Sequence, residues 1–242
     1  MILQVFTYLI TITVIKYAII RNMNRLSDIS LLKRFGNLPV PSGILQERYR
    51  HYAAPAKKIA ELCSQGLLVR VRRGLYVVSE QITGNRPSGY LLANHIYGPS
   101  YVSLETALEF HGMIPEAVYS FESMTSGHDK EYETPFGMFR YHHAPGEYFS
   151  VGVRVAQISR DQSFLIASPE KALCDHFVTT KGLQIRSRSS MYSYLTEFLR
   201  IDEDALAKLD TALIHECLLS GPKKNTLRYL EETITWIQSY RA

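Results

Sequence analysis

Residues 66–78 read Gly-Leu-Leu-Val-Arg-Val-Arg-Arg-Gly-Leu-Tyr-Val-Val, two short apolar runs joined at Arg73-Gly74. Such a stretch predicts a tight β-hairpin, because side chains alternate along a strand and glycine supplies the turn's backbone conformation. Val69, Val71 and Leu75 are expected on the core side, with Arg70 and Arg72 facing away. One charge is enough to discourage edge-to-edge aggregation of a strand. Three arginines within four residues point to a partner instead.

The residues before the hairpin extend the argument. Leu26, Ile29, Leu32 and Phe35 recur at three-residue spacing and predict a helix that Gly36 ends. Pro39 and Pro41 break the chain ahead of a short helix around 42–48. A further helix starts at Pro55, which suits a first turn. Its inner face is Ile59, Leu62 and Cys63, leaving Lys57, Lys58, Glu61 and Ser64 outward. Three helices followed by a hairpin is the order of a winged helix-turn-helix, whose last helix lies in the major groove while the hairpin tracks the backbone. The expected DNA contacts are Lys57 and Lys58 on that helix, Arg70, Arg72 and Arg73 on the wing, and Arg48 and Arg50 ahead of the helix.

Charge distribution supports an anionic partner. The net charge of +4 over 242 residues hides a split. Residues 21–90 hold twelve Lys/Arg against four Asp/Glu, whereas residues 91–242 hold fourteen against nineteen. Asymmetry of this kind assigns phosphate contacts to the basic part.

Residues 83–89, Thr-Gly-Asn-Arg-Pro-Ser-Gly, are rich in breakers and mark a boundary. The expected organisation is an apolar extension over 1–22, a winged helix-turn-helix over 23–83, and a mixed α+β domain over 84–242. In the last, helices are expected over 90–97, after a Ser103 cap, and over 169–179, 190–199, 204–219 and 225–240; strands are expected over 117–124, 136–142, 151–158 and 164–167. The uncharged run at the amino end stops at Lys16, short of the roughly twenty residues a spanning helix needs. A dispensable extension from a misplaced start is the expectation for 1–22, and a membrane anchor is the alternative.

Catalytic motifs are weak. Cys63, Cys174 and Cys217 form no C-x-x-C pair and read as buried free thiols of a cytoplasmic protein. Ser168-Pro-Glu-Lys171 matches S-x-x-K but reads better as a helix start, with a serine cap, a first-turn proline and an acidic residue at the positive dipole end. His142 and His143 point to opposite faces of a strand, and Asp175 and His176 lack a third partner. No catalytic residue, metal site, cofactor or small-molecule substrate is expected.

Four blocks carry a resemblance: residues 58–78, KIAELCSQGLLVRVRRGLYVV; 98–116, GPSYVSLETALEFHGMIPE; 134–143, TPFGMFRYHH; and 166–176, IASPEKALCDH. In this order they resemble the AbiEi antitoxins, transcriptional regulators of abortive-infection (type IV) toxin–antitoxin systems in phage defence. The resemblance implies an amino DNA-binding domain that represses its own operon and a carboxyl antitoxin domain. It also implies two partners: double-stranded operator DNA, and a nucleotidyltransferase-like toxin counteracted with or without direct contact. By position, Lys57, Lys58, Arg70, Arg72 and Arg73 become the DNA contacts. Tyr101, Ser103, His111, Gly112, Ser168, Glu170, Lys171 and Asp175 are motif positions expected to serve as scaffold. Two alternatives stand beside it: a membrane-tethered regulator, and a DNA-acting enzyme using Asp161, Glu170 and Asp175.

Overall fold

The computed structural model describes residues 25–116, 119–160 and 162–241. The extension expected over 1–22 lies outside them, as do residues 117 and 118 of an expected strand, and Asp161. The chain divides between Pro87 and Ser88 into two units.

Unit 1 opens with a helix over 25–33 (α1), followed by β1 (Val40–Pro41), α2 (Ser42–Arg48) and α3 (Pro55–Ser64). The hairpin β2 (Leu68–Arg72) and β3 (Leu75–Val78) comes next, then one turn of helix, α4 (Glu80–Thr83). Strand β3 is central, with β1 and β2 antiparallel on either side. Leu32, Leu45, Tyr49, Ile59, Leu62, Leu67 and Val78 form the core. Two expectations change here. Leu26 is exposed at the start of α1, and Phe35 falls beyond the helix, which stops at residue 33. Val69 is only half-buried, since a β-bulge between Arg70 and Arg72 breaks the alternation that would have placed it inward.

Unit 2 is a mixed α+β unit around a six-stranded sheet of order β6-β7-β5-β4-β9-β8. The strands are β4 (Ser100–Val102), β5 (Ser120–Thr125), β6 (Lys130–Thr134), β7 (Gly137–His143), β8 (Val153–Ser159) and β9 (Gln162–Ala167). The pairs β4–β9 and β5–β7 are parallel and the others antiparallel. Helices α5 (Gly89–Ile96) and α6 (Leu104–Phe110) pack on the sheet, and α7 (Pro169–Thr179) packs on α6 and β9. The remaining helices are α8 (Arg188–Ser193), which continues into a π-turn over Tyr194–Phe198, then α9 (Glu203–Leu206), α10 (Thr211–Ser220) and α11 (Lys224–Arg241). The helix expected over 204–219 is two helices. Asp210 caps the second by accepting the Ala212 N–H at 2.9 Å.

Helix α7 starts as the S-P-E-K reading requires: the Ser168 hydroxyl accepts the Lys171 N–H at 3.3 Å and Pro169 takes the first turn. Its interior is unusual. Lys171 and Asp175, one turn apart, are both fully buried, with Nζ 3.1 Å from Oδ1. That approach is a charge contact without hydrogen-bond alignment, and Nζ donates instead to the Tyr148 carbonyl at 2.8 Å. Asp175 Oδ2 accepts from Ser103 Oγ at 2.6 Å and Tyr101 OH at 3.0 Å. Ser103 stands at the cap position of α6 but makes no cap bond, and its hydroxyl donates to Asp175. Burial, and then the charge of Asp175, push the Tyr101 and Tyr148 phenols well above their usual range. Contact with Cys217 and burial push the Cys174 thiol up as well, so it stays protonated; Cys63, by contrast, is only half-buried.

Breaking a buried pair leaves an uncompensated charge, at a typical loss of about 3–5 kcal/mol. Asp175→Asn is expected to lose an amount in that range in urea unfolding, and a loss below about 1 kcal/mol would show the cluster to be ornamental.

His176 adds a pH dependence. Burial lowers its pKa to about 4 and Lys223 adds repulsion, although Glu105 lies 3.8 Å from Nδ1. The folded state therefore resists a proton that the unfolded state accepts from about pH 6.5 downward. Stability should be intact above that pH and should fall as pH drops toward 4, by up to about 3 kcal/mol. Thermal melts of the wild type between these values should show the decline, and those of His176→Gln should be flatter.

Candidate nucleic-acid interface

Helix α3 is placed by its apolar face. Pro55 opens it, Ile59 and Leu62 are buried, and Gly66, at φ +71°, ends it in a conformation that favours glycine. Lys57 is exposed on this helix. The hairpin follows at once. Arg72 donates to the Arg73 carbonyl at 2.9 Å across the turn, and Gly74 sits at φ +82°. The Gly74 carbonyl accepts the Ser42 N–H at 2.8 Å, tying the turn to the start of α2. These bonds hold the backbone of the hairpin tip in place.

Arg70 and Arg73 are exposed, and Arg72 is half-buried with its Nε lacking a partner. Arg48 closes α2 and is exposed, while Arg50, also exposed, pairs with Glu47 at 3.0 Å. Exposed pairs of this kind exchange readily with a competing phosphate, because they are worth little in water.

Lys58 departs from expectation. Rather than facing outward with Lys57, it is 7% exposed, with Nζ 2.7 Å from Asp28 Oδ2 and 5.2 Å from the Tyr52 ring centroid. Burial alone would lower its pKa, but the hydrogen bond and charge of Asp28 outweigh it and leave the ammonium above its usual range. Lys58 is committed to joining α3 to α1, and is removed from the set of free cations.

Other residues enlarge the basic surface. Arg25 and Lys33 on α1 and Arg34 just past it are exposed, outside the contacts expected from sequence, although the regional charge count already included them. Between residues 25 and 87 there are eleven Lys/Arg against four Asp/Glu. With the Lys58–Asp28 and Arg50–Glu47 pairs and Arg86 set aside, eight Lys/Arg remain against two carboxylates. This surface can neutralise several phosphates.

The residues weighed for catalysis are dispersed or engaged. Asp161 lies outside the described residues, Glu170 accepts the Asp210 N–H at 3.1 Å, and Asp175 is sealed in the core. His111 sits at the end of α6, hydrogen-bonded to the Ala167 carbonyl at 2.8 Å. Among the described residues no group of three His, Cys, Asp or Glu is placed to hold a metal, and no helix is long and apolar enough to cross a membrane. No protein-family model and no curated protein matches the chain.

The Lys58 pair yields a direct test. Asp28→Asn strands a buried ammonium and should destabilise the protein by about 3–5 kcal/mol, whereas Asp28→Leu with Lys58→Met should recover most of the loss. A double-mutant cycle in urea measures the coupling. Additive single losses would mean that the two side chains do not depend on each other.

Proposed function

We propose that unit 1 is a winged helix-turn-helix that binds double-stranded DNA, with α3 in the major groove and the β2–β3 hairpin along the phosphates. The whole chain is then an AbiEi-like antitoxin and transcriptional regulator, acting in the cytoplasm. It represses its own operon and counteracts a nucleotidyltransferase-like toxin through unit 2. No catalytic step is assigned to it.

One observation carries this reading: three arginines stand on a hairpin that directly follows a helix with an exposed lysine, in a unit with a large excess of basic over acidic residues. A duplex carries a dense row of phosphates, and each one neutralised releases counterions, so such a surface favours DNA in a salt-dependent way. The acidic balance of residues 91–242 supports a division of labour, because that part would be repelled by the same polyanion. Lys57, Arg48, Arg50, Arg70, Arg72 and Arg73 are the proposed contacts, and Lys58 acts only by holding α3 in place.

Arg72→Ala combined with Arg73→Ala should weaken binding to operator and random DNA alike, and lower the salt slope by about one to two. A folded double mutant with unchanged affinity and slope takes the hairpin out of the interface. Expressed from an unrelated promoter beside the toxin, the same mutant should still rescue growth while failing to repress its own promoter. Failure of a stable, abundant mutant to rescue would overturn the division of labour.

A further inference from the structure

Strand β8 is an open edge of the unit 2 sheet. Among the described residues it pairs only with β9, and no further strand lies beyond it. The opposite edge, β6, is guarded by exposed Lys130, Glu131 and Glu133, a common defence of edges against unwanted pairing. Strand β8 carries a single charge, Arg154, and leaves Val155 67% exposed. An unguarded edge of this kind is a template for another extended strand.

The hydrogen bonding shows which groups this edge offers. Asn94 on α5 engages both main-chain groups of Leu165: its Oδ1 accepts the Leu165 N–H at 2.6 Å, and its Nδ2 donates to the Leu165 carbonyl at 3.3 Å. Leu165 therefore directs both groups away from β8. Val155, its opposite in the antiparallel ladder, must then direct its own N–H and carbonyl away from β9 and out of the sheet. The Ser168 N–H, which donates to the Gly152 carbonyl at 2.8 Å, sets the same alternation at the start of β8. Val153, Val155 and Gln157 thus turn their main-chain groups outward. The β-bulge between Gln157 and Ser159 ends the regular edge, so that it spans 153–157 with Val155 at its centre.

Side chains supply the second observation. Val155 and Leu165 are direct cross-strand neighbours on one face, and Leu165 is 43% exposed. An antiparallel copy of β8 centred on Val155 places the partner's Val155 opposite it and sets Val153 against Gln157. Each outward donor then meets an acceptor. The two Val155–Leu165 pairs join into one apolar patch on a shared face. Charges agree with this register. Arg154 falls opposite Ala156 rather than opposite itself. The end of β8, followed by exposed Arg160, lies toward the start of the other strand, which exposed Glu147 precedes.

The geometry points to a second copy of this chain as the occupant of the edge. Two β8 strands pair antiparallel across a twofold axis at Val155 and make one continuous sheet from two copies of unit 2. This assignment is independent of DNA binding by unit 1.

Sedimentation of the full chain without DNA should show a monomer–dimer equilibrium in the micromolar range, as suits a small interface. Val155→Lys and Val155→Glu change an exposed position that folding tolerates. Each should raise the dissociation constant about tenfold or more, because like charges then stand opposite each other. An equimolar mixture of the two should recover a heterodimer. Hydrogen exchange on the wild type tests the same contact without a substitution: the amides of Val153, Val155 and Gln157 should slow as protein concentration rises, while those of β6 keep their rates. Arg72→Ala with Arg73→Ala should leave the dimer intact. The proposal is overturned if the wild type stays monomeric at about 1 mM, or if a folded Val155→Lys variant dimerises unchanged. A Lys/Glu mixture that stays monomeric overturns it too, as do outward amides whose exchange ignores concentration while a dimer forms. Loss of the dimer in the Arg72/Arg73 variant overturns it by placing the contact on unit 1.

Discussion

Two charges at zero exposure organise unit 2. Lys171 and Asp175 are worth burying only because each finds further partners: the Tyr148 carbonyl and ring for one, Ser103 and Tyr101 for the other. Those partners come from β4, the start of α6 and the turn before β8, so the pair fastens α7 to three distant parts of the chain. Neighbouring backbone obeys the same constraint. A side chain at Gly152, which has φ +66°, would run into Lys171 Cβ, and one at Gly221 would meet the Tyr148 ring. Leu104, buried at φ +51°, holds a conformation that a bulky residue resists, directly after the Ser103 hydroxyl that Asp175 captures.

Unit 1 repeats the device on a smaller scale. Lys58 and Asp28, at opposite ends of an interhelical contact, are nearly buried and join α3 to α1 beside Tyr52. The repetition matters for function, because a count of basic residues overstates the free positive charge. In each unit one lysine is withdrawn into the fold. What is left on unit 1 is an arginine-rich hairpin and the outer faces of α1 to α3. Arginine suits such a surface, since its guanidinium stays charged and grips phosphate oxygens in pairs.

Elements with local signals were legible. Helix α7 spans the expected residues because serine, proline and glutamate at its start each satisfy a helix terminus in its own way. The hairpin was legible because Arg-Gly between two β-branched runs admits few other turns. Strands β4 and β6 were missed for opposite reasons. The first is three residues long, and the second, Lys-Glu-Tyr-Glu-Thr, is an edge strand whose polar composition reads as loop until a partner is supplied. The expected helix over 204–219 failed at Asp210, a cap hidden inside an otherwise helical pattern.

Of the candidate site, charge and order were written in the sequence, whereas access was not. The run of arginines, the basic amino part and the helix preceding the hairpin follow from residues adjacent in the chain, which is where propensity, alternation and turn chemistry act. That Lys57 is free while Lys58 is paired depends on Asp28, thirty positions away, and on how α1 crosses α3. That Ser103 serves Asp175 rather than its own helix depends on a contact across seventy-two residues. Burial sets the protonation and the partners of a polar group, and burial is decided only when distant segments meet. The sequence by itself therefore determined which chemical groups this protein carries and the local elements that bear them; tertiary structure alone decided which of those groups face solvent and which are spent inside.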